Sequence, residues 1–231
     1  MLTIRYLGHS AFSLDNGEHE VLIDPFLSGN PTAVTSHEEH TPIAILLTHG
    51  HNDHVGDAVA IAKREDAPII TTYELANYLE TEGAKTIGGG HGGTIKFQGG
   101  SAKFVPAWHS SSYTNAQGNV VAPGVPAGFV VRFGGKTVYF AGDTCLFGDM
   151  KLIGEEGLDG AVLPIGDHFT MGPQDALKAV KMLEPKVAFP CHYNPFEAIQ
   201  QDEKAWGKKV ESETDTKVVV LAPGESYKLT E

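Results

Sequence analysis

The chain has 231 residues, enough for one domain with a large core, and carries 17 basic against 29 acidic side chains, a net charge of −12. This acidic balance argues against nucleic acid or an anionic membrane surface as the main partner. No run approaches the ~18 apolar residues of a spanning helix, and Met1 starts no apolar leader, so the sequence predicts a cytoplasmic protein. Two cysteines do not make a disulfide framework.

Alternating and apolar runs predict that the chain opens with antiparallel strands. Residues 2–7, 11–14 and 20–23 have strand patterns, and the Asn16-Gly17 pair between the last two is a hairpin turn signal. His9 follows the first strand, and Asp24 ends the third. Residues 27–41 are rich in Gly, Pro, Ser and Thr, which predicts a loop near a substrate mouth.

Four potential metal ligands lie within six residues, directly after an apolar run that reads as a buried strand. They are His49, His51, Asp53 and His54. Imidazole and carboxylate groups suit zinc and related divalent metals. Alternate residues of an extended loop point the same way, so His49 and His51 can share one metal while Asp53 and His54 reach a second position. The sequence therefore predicts a metal-binding loop between a strand and a helix.

The middle of the chain alternates helices and strands. Helices are predicted over residues 57–65 and 74–82, with strands over 68–72 and 101–106. The glycine-rich run at 88–93 lacks the Lys-Ser/Thr ending of a phosphate-binding loop and is predicted as a turn. Residues 110–128, which follow His109, are a long Ser, Gly, Asn and Pro-rich stretch. Such stretches are usually functional, so we expect a substrate-shaping loop in which Tyr113 contacts the substrate.

The second half again places polar side chains at the ends of apolar strands. A hairpin over residues 129–141 leads to Asp143, and a strand over 158–165 leads to His168. A helix to about residue 183 and a strand over 186–190 follow, and His192 comes after that strand. A polar helix at 195–209 and a strand at 217–221 are predicted to complete the chain.

The segment His49–His54 matches the H-x-H-x-D-H motif of the metallo-β-lactamase superfamily, and His109, Asp143 and His192 occur where that family has its distant ligands. Two further segments, 6–12 and 166–173, resemble a narrower branch of metal-dependent hydrolases related to the ascorbate-phosphate lactonase-like enzymes. The resemblance covers essentially the whole chain. It implies an α/β (α+β) fold, a four-layer αββα sandwich of two mixed β-sheets in a single domain, 1–231, with halves of roughly 1–106 and 107–231.

The resemblance also implies a role for each ligand. One divalent ion is bound by His49, His51 and His109, a second by Asp53, His54 and His192, and Asp143 bridges them. Zinc is the expected metal, with manganese, nickel or iron as alternatives.

Asp53 and three further residues also receive roles beside metal binding. Asp53 orients the attacking hydroxide, and Asp24 holds the metal loop by hydrogen bonds. His9 either supports the metal site without binding the metal or caps a strand end. His168 either protonates the leaving group or anchors the next helix.

The expected activity is hydrolysis of a small ester, lactone or phosphoester by a metal-bridged hydroxide, because a bound zinc lowers the pKa of water from 15.7 to about 7. The alternatives are a mononuclear iron oxygenase of the same superfamily and a nuclease, which the acidic balance disfavours. A non-catalytic binding module has little need for seven ligands. We expect a small-molecule substrate and neither nucleic acid nor membrane as a partner, and the resemblance leaves room for a homo-oligomer.

Overall fold

The computed structural model describes residues 1–230. In chain order the strands are β1 (Leu2–Gly8), β2 (Ala11–Asp15), β3 (Glu20–Ile23), β4 (Ala44–Leu46), β5 (Ile69–Thr72), β6 (Thr86–Gly89), β7 (Thr94–Phe97), β8 (Gly100–Pro106), β9 (Tyr113–Thr114), β10 (Val120–Val121), β11 (Ala127–Phe133), β12 (Lys136–Phe140), β13 (Gly160–Pro164), β14 (Val187–Cys191), β15 (Lys217–Val218) and β16 (Ser226–Leu229). The helices are α1 (Asn52–Val55), α2 (Ala58–Glu65), α3 (Tyr73–Thr81), α4 (Met150–Gly154), α5 (Pro173–Leu183) and α6 (Glu203–Glu213). None of these helices is long and apolar enough to cross a bilayer.

Two seven-stranded sheets form the centre of the molecule. The first has the strand order β16-β1-β2-β3-β4-β5-β6, and the second has the order β15-β14-β13-β12-β11-β8-β7. Strands β1 to β3 pair antiparallel and β3 to β6 pair parallel. The second sheet is likewise antiparallel from β7 to β12 and parallel from β12 to β15. The predicted pair of mixed sheets is confirmed.

Apolar side chains fill three layers between these elements. The inner faces of the two sheets share one core, in which the ring of Phe12 on β2 lies 5.9 Å from that of Phe140 on β12. Burying such a phenyl ring fully contributes roughly 1.5–3 kcal/mol. Helices α2 and α3 pack on the outer face of the first sheet, and α4, α5 and α6 pack on the second. This is the predicted four-layer αββα sandwich.

The division between the sheets differs from the predicted halves. The chain changes sheet between β6 and β7, around Gly90–Gly93, and not near residue 106. Strand β8 belongs to the second sheet because it pairs along its whole length with β11. The last strand, β16, returns to the first sheet and pairs with β1, with Leu229 opposite Leu2. Strand pairing across such distances leaves no local signal in the sequence.

Three local predictions differ from the structure. Gly88 and Gly89 lie in β6 and not in a turn. The polar helix predicted at 195–209 begins only at Glu203, because the Asp202 side chain accepts a hydrogen bond from the Ala205 N–H and starts the helix there. The stretch 110–128 is not structureless, since β9 and β10 pair within it.

The strand directions bring the predicted site residues to one edge. Strand β1 runs parallel to β3 and β4, because two antiparallel pairings separate β1 from β3. By the same argument β8 runs in the direction of β12, β13 and β14. Ligands bind outside the carboxyl ends of strands in such sheets. These carboxyl ends are followed by His9, Asp24, His49, His109, Asp143 and His192.

Candidate metal centre

The structure brings all seven predicted ligands together and adds His9 to them. Within each of two groups, one potential ligand atom of every residue lies within 4.8 Å of the others. The first group is His49, His51, His109 and Asp143, and the second group is His9, Asp53, His54 and His192.

Asp143 faces both groups from the end of β12. Its Oδ2 lies 3.1 Å from His192 Nε2 and 3.5 Å from His109 Nε2, and its Oδ1 lies 3.3 Å from His54 Nε2. Gly142, just before it, has a positive φ of 59°, and a Cβ there would lie 2.7 Å from Thr48 Cβ. Only glycine allows the chain to pass so close to the metal loop and turn Asp143 into the cleft.

Unpaired buried atoms test whether these residues fit a metal. His54 Nε2 and Asp143 Oδ1 are buried and form no hydrogen bond with any group in residues 1–230. Leaving a buried polar atom unpaired costs about 1–3 kcal/mol, and a cation between the two would satisfy both. The donors are imidazoles and carboxylates, which zinc and its first-row neighbours prefer. The residues therefore fit a divalent metal.

Asp24 forms hydrogen bonds with Thr48 and His54 of the loop that carries the ligand candidates. Its Oδ1 accepts the backbone N–H of Thr48 at 2.8 Å, and its Oδ2 accepts the Thr48 hydroxyl at 2.7 Å and lies 2.8 Å from His54 Nδ1. With Nδ1–H donating to the carboxylate, His54 turns Nε2 towards Asp143, where a metal ion could replace its proton. A carboxylate behind a metal-binding histidine fixes its ring and tautomer in this way.

The surroundings shift the pKa values of His49 and His54 in opposite directions. Burial, and then the neighbouring His54, lowers the pKa of His49 well below its usual range, so His49 is neutral and able to bind a metal. Burial acts against a charged His54, but the carboxylates of Asp143 and Asp24 raise its pKa well above the usual value. Burial acts to raise the pKa of Asp143, yet His192 and His54 hold it well below normal. The two buried carboxylates thus create a negative field at His54 that favours a cation.

His9 belongs to the site and does not merely cap a strand. Its side chain is fully buried, its Nε2 lies 3.0 Å from Asp53 Oδ2, and its Nδ1 has no hydrogen-bond partner within residues 1–230. Its carbonyl oxygen accepts the N–H of His192 at 2.9 Å and the hydroxyl of Tyr6 at 3.1 Å. His9 therefore links the first sheet to the second at the level of the ligands.

The structure does not bring Tyr113 or His168 to the ligand groups. Tyr113 is buried, its hydroxyl donates to Glu82 Oε2 at 2.9 Å, and its ring packs on Tyr78. His168 is exposed, and its ring lies edge-on to Phe169 with the centroids 4.4 Å apart. Tyr113 thus has a packing partner and a hydrogen bond away from the centre, and His168 lies beside a residue of the cavity.

A cavity of about 360 Å³ opens onto the ligands, within the size range of small-molecule sites. None of the described residues that line it comes from the stretch 27–41, which the sequence assigned to the substrate mouth. The sequence assigned no individual role to Ser110 or Phe169, although they lie in the stretch 110–128 and in the segment 166–173 that it singled out. The lining residues are His51, Asp53, His109, Ser110, Asp143, Phe169 and His192.

The predicted substrate-shaping loop supports the metal loop instead. The Gly50 N–H donates to Ser111 Oγ at 3.0 Å, and Asn52 and Thr114 exchange two hydrogen bonds of 2.8 and 3.0 Å. Apart from Ser110, no residue of 110–128 lines the cavity in the described part of the chain. This loop therefore fixes the ligands from outside.

Known proteins are similar to this chain in sequence and in fold. A family model described as a beta-lactamase superfamily domain matches residues 19–193. A UPF0173 metal-dependent hydrolase of Thermus thermophilus is 50% identical over 229 residues, covering 99% of this chain and 100% of that protein. One of Archaeoglobus fulgidus is 48% identical over 228 residues, 98% of each chain.

A solved structure agrees with these relatives. The metallo hydrolase Igni18 of Ignicoccus hospitalis is 37% identical and superposes with a TM-score of 0.89, over 98% of this chain and 97% of that one. Fold, residue groups and relatives lead to one conclusion: the chain belongs to the metallo-β-lactamase superfamily and is a metal-dependent hydrolase.

Proposed function

We propose that this chain hydrolyses a small ester, lactone or phosphoester with two divalent ions, of which zinc is the first candidate. The observation that carries the proposal is the pair of four-residue groups that meet at Asp143. His49, His51 and His109 would hold one ion, Asp53, His54 and His192 would hold the other, and Asp143 would contribute to both.

Bound divalent ions supply an activated water nucleophile and polarise the group that is attacked. The protein's own contribution begins with Asp53, whose side chain is 36% exposed to the cavity. Burial acts to raise its pKa, but the hydrogen bond with His9 holds that pKa well below normal. Asp53 is therefore an ionised acceptor that aligns an attacking water, and His9 keeps its carboxylate in place.

His168 is proposed either as the proton donor for the leaving group or as a residue that anchors the next helix. Its exposed ring lies beside a cavity residue, which lets it reach a leaving group that extends past Phe169. A proton donor matters most for leaving groups of high pKa. The dependence of kcat on leaving-group pKa in His168→Gln separates the two roles.

Metal analysis of Asp143→Ala tests the proposed function. We expect about two zinc or manganese ions per chain in protein purified without added metal, and fewer than one in the variant. Hydrolysis of a panel of esters, lactones and phosphodiesters should fall about 10³-fold, since both ions lose a ligand. Asp149→Ala, an exposed acid on the same segment, should keep metal and activity.

Two outcomes would contradict this function. About one iron per chain, with no hydrolysis, would point to the iron oxygenase. A folded protein that takes up no metal when zinc is offered would leave a binding module. Circular dichroism of both variants shows whether the fold survives.

A further inference from the structure

We propose that Phe169 is a specificity-determining residue and that the substrate is a carboxylic ester or lactone with an uncharged aromatic or apolar substituent. This inference rests on the proposed hydrolytic function and narrows its substrate. In the reaction, water adds across the acyl C–O bond. The products are a carboxylic acid and an alcohol, or one hydroxy acid from a lactone.

Few residues of the cavity wall, apart from the ligand candidates, could determine substrate specificity. Five of the seven lining residues are ligand candidates, and the remaining two are Ser110 and Phe169. Ser110 Oγ lies 3.5 Å from His51 Nε2, so its hydroxyl faces the ligands. Phe169 is the one described lining residue that offers a large apolar surface, and its side chain is 59% exposed. Specificity beyond the metals therefore depends on this ring.

The cavity offers no partner for a charged group away from the metals. Asp53 and Asp143 of its wall are ligand candidates, so bound divalent ions would offset their charge and attract the group that is attacked. No lysine or arginine is found among the described residues of the wall, and proteins recognise anionic groups preferentially with these side chains. A charged substituent beside Phe169 would therefore stay unpaired, whereas an uncharged apolar substituent avoids this cost.

A constrained turn holds Phe169 at this position. The two residues before it, Asp167 and His168, both have left-handed backbone angles, with φ of 61° and 41°. The Thr170 N–H donates to the Asp167 carbonyl at 2.8 Å, and the Met171 N–H donates to the carbonyl of Thr144, next to Asp143, at 2.9 Å. Strained non-glycine residues of this kind cluster at functional sites. The turn ties Phe169 to the segment that carries a central ligand.

Other exposed aromatic rings lie around the same centre. Residues 1–230 contain four exposed aromatic side chains, and three of them flank ligand candidates. Trp108 directly precedes His109, Phe196 lies edge-on to His9 with centroids 5.7 Å apart, and Phe169 lines the cavity. Exposed apolar surface gathered at one site marks binding. An aromatic or apolar substituent would cover part of this surface.

Paired substrates test the role of Phe169 in the metal-loaded protein. Methyl phenylacetate is compared with methyl acetate, and γ-phenyl-γ-butyrolactone with γ-butyrolactone, in Phe169→Ala. We expect kcat/KM for the phenyl compounds to fall about tenfold, mainly through KM, and that of the small compounds to stay within about twofold. Leu152→Ala, a similarly exposed apolar residue on α4, is the control and should change neither ratio. Equal losses on both members of each pair would overturn the inference.

A second comparison tests the charge argument. Methyl phenylacetate is compared with methyl (4-carboxyphenyl)acetate, in which the ring carries a negative charge. We expect kcat/KM to be at least about tenfold higher for the uncharged compound. Equal values would overturn the inference while leaving the hydrolase in place.

Binding without turnover separates this inference from the function on which it rests. Calorimetry with 2-phenylacetamide, a neutral analogue that is hydrolysed slowly, should show affinity in the parent protein that falls about tenfold in Phe169→Ala. If this preference holds but no ester or lactone is hydrolysed, the proposed function fails and the specificity of the cavity stands. If hydrolysis occurs but the affinity for 2-phenylacetamide is the same in Phe169→Ala, the proposed function stands and the inference about Phe169 fails.

Discussion

The two ligand groups use the same residue types but differ in burial. In the second group, His9, His54 and His192 are at most 3% exposed, and His9 and His192 join the two sheets by a backbone hydrogen bond. In the first group, His51 and His109 are only partly buried and form part of the cavity wall. Three of the four members of the second group are buried, against two of the four in the first, although Asp53 and His192 of the second group also line the cavity. We therefore expect the second group to bind its metal more tightly and the first group to exchange it.

The largest effect is expected where the core supports the second group. Asp24→Ala removes the acceptor of three buried donors, on Thr48 and His54, and should lower the free energy of unfolding by about 3 kcal/mol. Metal affinity should fall about 100-fold, because His54 loses its orientation. Urea unfolding in EDTA and zinc titration measure the two effects.

Asp57→Ala provides the matched control for Asp24. Asp57 accepts the backbone N–H groups of Leu27 and Ser28 at 3.0 and 2.7 Å, outside the metal loop. We expect a loss of about 1 kcal/mol in stability and unchanged metal affinity. Similar metal affinities for the two variants would show that Asp24 does not orient His54.

A smaller effect is expected from the exposed group. His51→Gln removes one ligand of the first group and should leave about one metal per chain, because the second group keeps its own ligands. In a chelator competition, the parent protein should lose one ion quickly and one slowly. The ion that remains in His51→Gln should dissociate at a rate below that of the fast ion of the parent protein. The control is His91→Gln. Among the described residues, the ring of His91 forms a hydrogen bond only with the carbonyl of Pro126. Loss of both ions in His51→Gln would refute the independence of the groups.

The smallest of these effects is expected from His9. If its role is to hold Asp53 through the 3.0 Å contact, His9→Gln lowers metal affinity about tenfold and keeps two ions per chain at saturating zinc. Metal content at saturation and a titration curve distinguish the outcomes. A content of one ion per chain would instead make His9 a ligand, through the Nδ1 that lacks a partner within residues 1–230.

The sequence predicted the centre better than its surroundings. His49, His51, Asp53 and His54 are local in the chain, and the distant ligands follow apolar strands whose carboxyl ends share one edge. The role of Asp24 was expected from the resemblance to the superfamily, and the structure places this residue at the end of β3, next to β4. Strand ends and motif spacing are properties that a sequence displays directly.

The wall of the cavity could not be predicted in this way. Residues 27–41 and 110–128 have the composition of substrate loops, yet the first contributes nothing to the described wall and the second mainly supports Gly50 and Asn52. Composition shows that a segment is irregular but not which way it faces. Phe169 reaches the cavity through backbone angles at Asp167 and His168 that non-glycine residues rarely adopt. Such conformations are set by tertiary contacts and leave no pattern.

Left-handed backbone angles occur at residues other than glycine in two kinds of place, the ligand centre and the ends of helices. Only the second kind is suited to stabilising substitutions. His9, Asp24 and His192 carry this strain with φ between 45° and 55°, and each supplies a side chain to the centre. Asp66 and Glu184 have the same angles but end helices α2 and α5. Glycine relieves strain at such helix ends without removing a donor to the metals. Engineering for heat resistance can therefore begin at the helix ends, because a glycine at His9, Asp24 or His192 would remove a side chain of the centre.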